Sequence, residues 1–149
     1  ALMIIEEALA AFDADPSEHA YQQETSARWR AWYDLARGRL LAVSVRYKEY
    51  ILLCEQILAQ AAQQSVGPNL LTFYPSSTLL DPQGDAIRAG QAQRLLQRCA
   101  QEHQGTPWQY LAERELANPA GVGFQLQTLP PPGSVAPFVP PTTVSLPKL

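Results

Sequence analysis

The sequence predicts an all-α fold: a long central helix, an antiparallel helical hairpin packed on it, and an extended proline-rich C-terminal tail. Three observations lead there. From Trp29 to Leu58 apolar residues recur at three- and four-residue steps: Trp29, Trp32 or Tyr33, Ala36, Leu40, Val43, Tyr47, Tyr50 or Ile51, Cys54 and Leu58. That spacing lays them on one stripe of a helix. The stretch Gln104-Gly105-Thr106-Pro107-Trp108-Gln109 reads as the end of one helix and the capped start of the next. Finally, residues Pro130 to Leu149 hold seven of the 13 prolines.

The first segment, ALMIIEEALAAF, is amphipathic, with Leu2, Ile5, Leu9 and Phe12 on one face. Asp15-Pro16 followed by Glu18 has the form of a capped helix start. A helix from Pro16 to about Gln63 would span roughly 70 Å at 1.5 Å per residue. Thr25-Ser26 offers an alternative start and Gly38 a weak spot, so one long or slightly broken helix is expected. A second apolar set, Leu35, Leu41, Val45 and Leu52, flanks the main stripe and implies neighbours on more than one side.

Ser65-Val-Gly67-Pro68-Asn69 ends that helix with turn chemistry. In the following LLTFYPSSTLLDPQG, Leu70 to Tyr74 suit a short extended piece packed on the helices. Another helix is expected from near Asp85 to about His103, with Ile87, Ala92, Leu95, Leu96 and Cys99 inward and Gly90 at a close backbone approach. Gly105 ends it in a left-handed conformation. Thr106 then caps a helix from Pro107 to about Ala117, with Gln109 closing the box and Asn118-Pro119 stopping it. Trp32 and Trp108 are expected in the core. Beyond Gly121, Phe124 to Leu129 suit a short strand, and the proline-rich tail favours polyproline II. The expected division is a helical domain over 1–121 and an extended tail over 122–149.

Composition excludes several function classes. At 149 residues the chain has the length of one domain with a real core. Only 17% of residues are charged, and glutamine-rich runs supply much of the polarity. A net charge of −3 makes no global electrostatic case for nucleic acid. Cys54 and Cys99 lie far apart on expected helices and have no metal spacing. No run reaches the eighteen or so apolar residues of a membrane span. A start at Ala1, without initiator Met or signal-peptide pattern, reads as a processed product or a piece of a longer protein.

Two resemblances follow from the motifs. Trp32-Tyr33-Asp34-Leu35-Ala36 resembles the start of the first helix of a tetratricopeptide repeat, and Arg46-Tyr47-Lys48-Glu49-Tyr50-Ile51, with Cys54 and Leu58, resembles the second. That family has a turn between these motifs, whereas LLAVSVRY here reads straight through as helix. In addition, Glu102 to Trp108 followed by Leu111-Ala112-Glu113-Arg114-Glu115-Leu116 is similar to a helical region of large bacterial proteins that carry a von Willebrand factor type A domain. This resemblance implies a helical accessory segment of bacterial source and nothing catalytic. The metal-ion-dependent adhesion motif of the A domain is absent from the sequence.

No Gly-rich phosphate loop, Ser/His/Asp set or Cys/His set appears, so neither an enzyme nor a cofactor is expected. His19 and His103 are isolated and read as helix-surface residues. Glu113 and Glu115, two apart, point to different sides of a helix and make no acid/base pair. The tail residues Val135, Pro137, Phe138, Val139, Pro140 and Leu146 have little core value but can fill pockets along a groove at modest ordering cost. The expectation is therefore a non-catalytic scaffold or interaction domain whose tail docks on a neighbour or on a second copy. The alternative is an anionic-surface or nucleic-acid module using Arg28, Arg30, Arg37, Arg39, Arg46 and Lys48, six of the 11 cationic residues. Pairs such as Glu24–Arg28 and Arg30–Asp34 are the competing use of those charges.

Overall fold

A computed structural model describes residues 1–13, 17–61 and 70–127. Helices α1 (Leu2–Asp13) and α2 (Ser17–Gln23) precede the central helix α3 (Ala27–Ala61). Strand β1 (Leu70–Ser76), helices α4 (Pro82–Glu102) and α5 (Pro107–Leu116), and strand β2 (Gly121–Gln127) follow. The chain is thus mostly helical but not all-α. β1 and β2 pair antiparallel, Leu70 opposite Gln127 and Ser76 opposite Gly121. Either segment alone would leave its backbone donors and acceptors unpaired, and each satisfies the other. Residues 122–127, placed by sequence reading in the extended tail, lie in β2.

The long helical stretch is broken before Ala27. Ser26 is the turning point: its Oγ accepts from Trp29 N at 3.4 Å, and its own N–H donates to Glu24 Oε1 at 2.7 Å. From there α3 runs 35 residues without interruption through Gly38 and through LLAVSVRY, so the two repeat-like motifs share one helix. No turn separates them.

α4 lies along α3, and the reason is the small residues between them. A Cβ on Gly38 would sit 2.9 Å from Leu96 Cγ, so only glycine lets the helices approach this closely. Gly90, expected to mark such a contact, faces open space. α4 begins earlier than the periodicity indicated, because Asp81 caps it by accepting from Gly84 N at 2.9 Å, with Pro82 in the first turn. Consequently Asp85 points inward and Ile87, expected inward, is 74% exposed.

The α4–α5 hairpin forms as its residues dictate. Gly105 adopts φ +73°, Thr106 Oγ1 accepts from Gln109 N at 3.4 Å, and Gln109 Oε1 accepts from Gly105 N at 2.6 Å. Two apolar clusters form the core. Leu9, Leu41, Ala42 and Ala92 join α1, α3 and α4; Leu35, Leu96, Cys99 and Ala112 join α3, α4 and α5, with Trp108 half-buried against them.

Candidate interaction surface

The central helix has two unlike faces. Toward α4 it buries Ala31, Asp34, Leu35, Gly38, Ala42, Val45, Glu49 and Leu53. Apart from Leu40, which packs against the first core cluster, the stripe read from the sequence as the core lies mostly on the opposite side. There Trp29, Trp32, Tyr47, Tyr50, Ile51 and Leu58 are exposed by 59, 44, 41, 45, 45 and 70%. Trp32 is therefore a surface residue, not the core residue expected. Of the flanking set, Leu35, Leu41 and Val45 are in the core and Leu52 is half-buried. Its members are fewer and smaller than the aromatics, so a hydrophobicity pattern ranks the two faces the wrong way round.

Buried charges anchor the inner face. Asp34 is fully buried and accepts from Arg98 through both oxygens, at 2.9 and 2.6 Å, while Arg98 also stacks 3.8 Å above the Tyr21 ring. The Tyr21 hydroxyl lies 3.0 Å from both Asp34 Oδ2 and Glu102 Oε2, tying α2 to α3 and α4. Burial pushes the Asp34 carboxyl upward, against the pull of Arg98. Burial and the Asp34 charge raise the Tyr21 hydroxyl as well. Burial also pushes the Cys99 thiol up to about 11. Glu49, equally buried, accepts from the backbone N–H groups of Leu80 and Asp81 at 2.7 and 3.1 Å, fixing the entry into α4. The sequence offers Arg30 at helical spacing for Asp34, but its actual partner Arg98 and the backbone partners of Glu49 lie on or at the start of α4, out of reach of a local pattern.

Much of the basic cluster is engaged within the chain. Arg46 binds Glu115 and the carbonyls of Asn118 (3.0 Å) and Pro119 (3.2 Å), and Arg39 lies 3.4 Å from the same carboxylate. Lys48 approaches Asp85 at 3.5 Å. Arg37 donates to the Tyr33 hydroxyl at 2.9 Å, and Arg30 lies over the Tyr21 ring. Asp34, expected opposite Arg30, is taken by Arg98 instead. Arg28 is exposed. The six cations do not form one surface patch: Arg39 and Arg46 turn toward α5, and Lys48 toward α4.

The histidines divide. His19 is exposed, beside Gln23, but His103 is buried as the C-cap of α4, contrary to its surface reading. Its backbone N–H donates to the Cys99 carbonyl at 3.2 Å, and its carbonyl accepts from Thr106 Oγ1 at 2.5 Å. Of the two glutamates in α5, Glu113 is exposed and Glu115 buried. Both cysteines are free thiols, Cys54 half-buried and Cys99 buried. The tail residues Val135, Pro137, Phe138, Val139, Pro140 and Leu146 lie outside the described residues.

Two features of the outer face suit partner binding. At its N-terminal end Trp29 and Trp32 meet edge to face at 5.8 Å and, with Tyr21 and Tyr33, line a pocket of about 190 Å³. Phe12 of α1 closes one side, 5.9 Å from Trp32 and 5.6 Å from Tyr33. At the other end Tyr50 meets Phe73 of β1 at 5.6 Å, extending the apolar surface onto the sheet, where Leu71, Phe73 and Tyr74 are also exposed. With rings that can each bury ~150–250 Å², each of the two aromatic pairs leaves on the order of 200 Å² in solvent, the pairs lying about 20 Å apart along the helix.

Among the described residues no group of three or more His, Cys, Asp or Glu side chains is placed to hold a metal ion. No helix among them is long and apolar enough to cross a membrane. No protein-family model matches the chain, and neither a curated protein nor a solved structure matches it.

Proposed function

We propose that this chain is a non-catalytic helical interaction module, a segment or subunit of a larger bacterial assembly, that receives the proline-rich segment of a neighbouring chain. The observation that carries this reading is the solvent-exposed Trp29–Trp32 pair and the aromatic pocket it lines. Proline-rich segments dock in aromatic-lined grooves, because a pre-ordered polyproline II strand loses little entropy on binding and presents flat apolar rings. Residues 130–149 of this chain supply such a segment, with Phe138 and its flanking prolines as the anchor. A tetratricopeptide-like use of helices belongs to the same proposal: the α4–α5 hairpin backs α3 and leaves its far side for ligand. The anionic-surface reading stands second, since Arg39, Arg46 and Lys48 already face carboxylates.

The test is titration of a synthetic peptide of residues 130–149 into a chain ending at Leu129, followed by tryptophan emission. The expected result is a saturable change that disappears in Trp29→Ala and Trp32→Ala. A flat titration, or binding indifferent to both substitutions, would exclude the pocket as the docking site.

A further inference from the structure

The aromatic pocket at the N-terminal end of α3 carries one charged donor that the fold leaves unused. Arg30 lines the pocket beside Trp29 and Trp32. Its guanidinium lies over the Tyr21 ring, 5.9 Å from the centroid, and its Nε is buried without a hydrogen-bond partner among the described residues. Asp34, one helical turn on, is held through both oxygens by Arg98. Glu24 lines the same pocket but accepts from Ser26 N at 2.7 Å. A buried donor left unpaired is costly, and a ligand that brings an acceptor recovers that cost. Arg30 is only half-buried, so its guanidinium is open to a ligand in the pocket. The ring beneath it is fixed, because the Tyr21 hydroxyl lies 3.0 Å from both Asp34 Oδ2 and Glu102 Oε2.

We propose that Arg30 is the recognition residue of this pocket, donating from its guanidinium to a main-chain carbonyl of the docked proline-rich segment. The inference rests on the docking of that segment in the pocket and adds the group that selects it. The chemistry of the two sides matches. Pro137-Phe138-Val139-Pro140-Pro141 has five carbonyls but two N–H groups, because proline carries none. A polyproline II strand bonds none of those carbonyls internally, and burying one unpaired costs free energy. The segment 130–149 has no Asp or Glu, so its strongest acceptors are main-chain carbonyls. A site for it must therefore supply donors. Around the pocket these are Arg30 and the indole N–H groups of Trp29 and Trp32, none of which donates to an acceptor among the described residues.

The experiment uses the full chain with Phe138→Ala, so that its own tail does not compete, and adds the synthetic peptide of residues 130–149. Affinity is read from tryptophan emission in this background and with Arg30→Met or Arg30→Lys, the second of which keeps the charge but not the planar fork. Either substitution is expected to weaken binding roughly tenfold, as loss of a hydrogen bond to a charged group does, with the helical circular dichroism retained. In a nitrogen-15-labelled sample the Arg30 side-chain N–H resonances, identified as those missing from Arg30→Lys, should move downfield as peptide is added. Unchanged affinity in both Arg30 variants overturns the role of Arg30; the docking itself survives that result if Trp29→Ala and Trp32→Ala still abolish binding. Weakened binding with unmoved Arg30 resonances means that Arg30 only braces Tyr21, and it overturns the proposal as well. If either Arg30 variant fails to fold, the resonances in the parent chain decide. No binding before any Arg30 substitution refutes the docking and this inference together.

Discussion

The inner and outer faces of α3 follow opposite rules. The inner face holds small residues and charges (Ala31, Asp34, Gly38, Ala42, Glu49), and the outer face holds most of the helix's aromatic surface, yet the inner one is the core. Burial therefore depends here on how closely the next helix can approach rather than on how apolar the stripe is. Gly38 admits Leu96 to the backbone, and Asp34 and Glu49 bind groups on α4 or at its start. Large rings on that side would hold α4 away. Placed outside, the same rings line a pocket at one end and meet Phe73 of β1 at the other.

The contrast breaks most severely at Asp34. Asp34→Ala leaves Arg98 without its buried partner and is expected to cost about 3–5 kcal/mol, as loss of one member of a buried pair does. Urea unfolding of the variant checks it, and a loss under about 1 kcal/mol would mean that the pair is not an anchor of the core.

An alkaline titration tests the same inner cluster without substitution. The Cys99 thiol ionises near 9.0 when exposed and near 11 in the folded chain. The unfolded state therefore gives up this proton first, and the stability it supplies is complete below about pH 9 and lost as pH rises through 11. The loss is at most about 3 kcal/mol at ~1.4 kcal/mol per pKa unit. Tyr21, also raised, acts in the same direction. Urea midpoints between pH 8 and 11 should fall, and Cys99→Ala should flatten part of the slope.

The two helix glycines sharpen the comparison from opposite sides. Gly38→Leu forces a branched side chain into Leu96 and is expected to destabilise by about 1–3 kcal/mol. Gly90→Ala adds its methyl to open space and should stabilise by up to ~1 kcal/mol through helix propensity alone. Thermal melts of the pair should move apart; a shared direction would mean that α3 and α4 are not in close contact at Gly38.

What was legible in the sequence was local. Gly105, Thr106, Pro107 and Gln109 specify the hairpin through contacts within five residues, and the structure follows them. Leu2, Ile5, Leu9 and Phe12 mark the inward face of α1 for the same reason, Leu9 being its buried centre. The extended character of Leu70 to Tyr74 was legible too, but not its pairing with Gly121–Gln127, because nothing in either segment encodes a partner so distant in sequence. The core side of α3 was missed for a different reason. Its signal is a run of small residues, Ala31, Gly38 and Ala42, which a search for large apolar side chains passes over. The buried acids Asp34, Glu49 and Glu115 find their partners across helices, at Arg98, the start of α4 and Arg46, where sequence spacing gives no hint.

One measurement separates the two faces most directly: circular dichroism melts of Tyr47→Glu and Leu53→Glu at a concentration where the chain is a single copy. Tyr47 is 41% exposed and Leu53 is 1% exposed, although both lie in the apolar part of the same helix. The expected result is a wild-type melt for Tyr47→Glu, within about 0.5 kcal/mol as for other surface substitutions, and an unfolded or severely destabilised Leu53→Glu. Equal collapse of both variants, or a wild-type melt for Leu53→Glu, would contradict the assignment of the aromatic face to the surface.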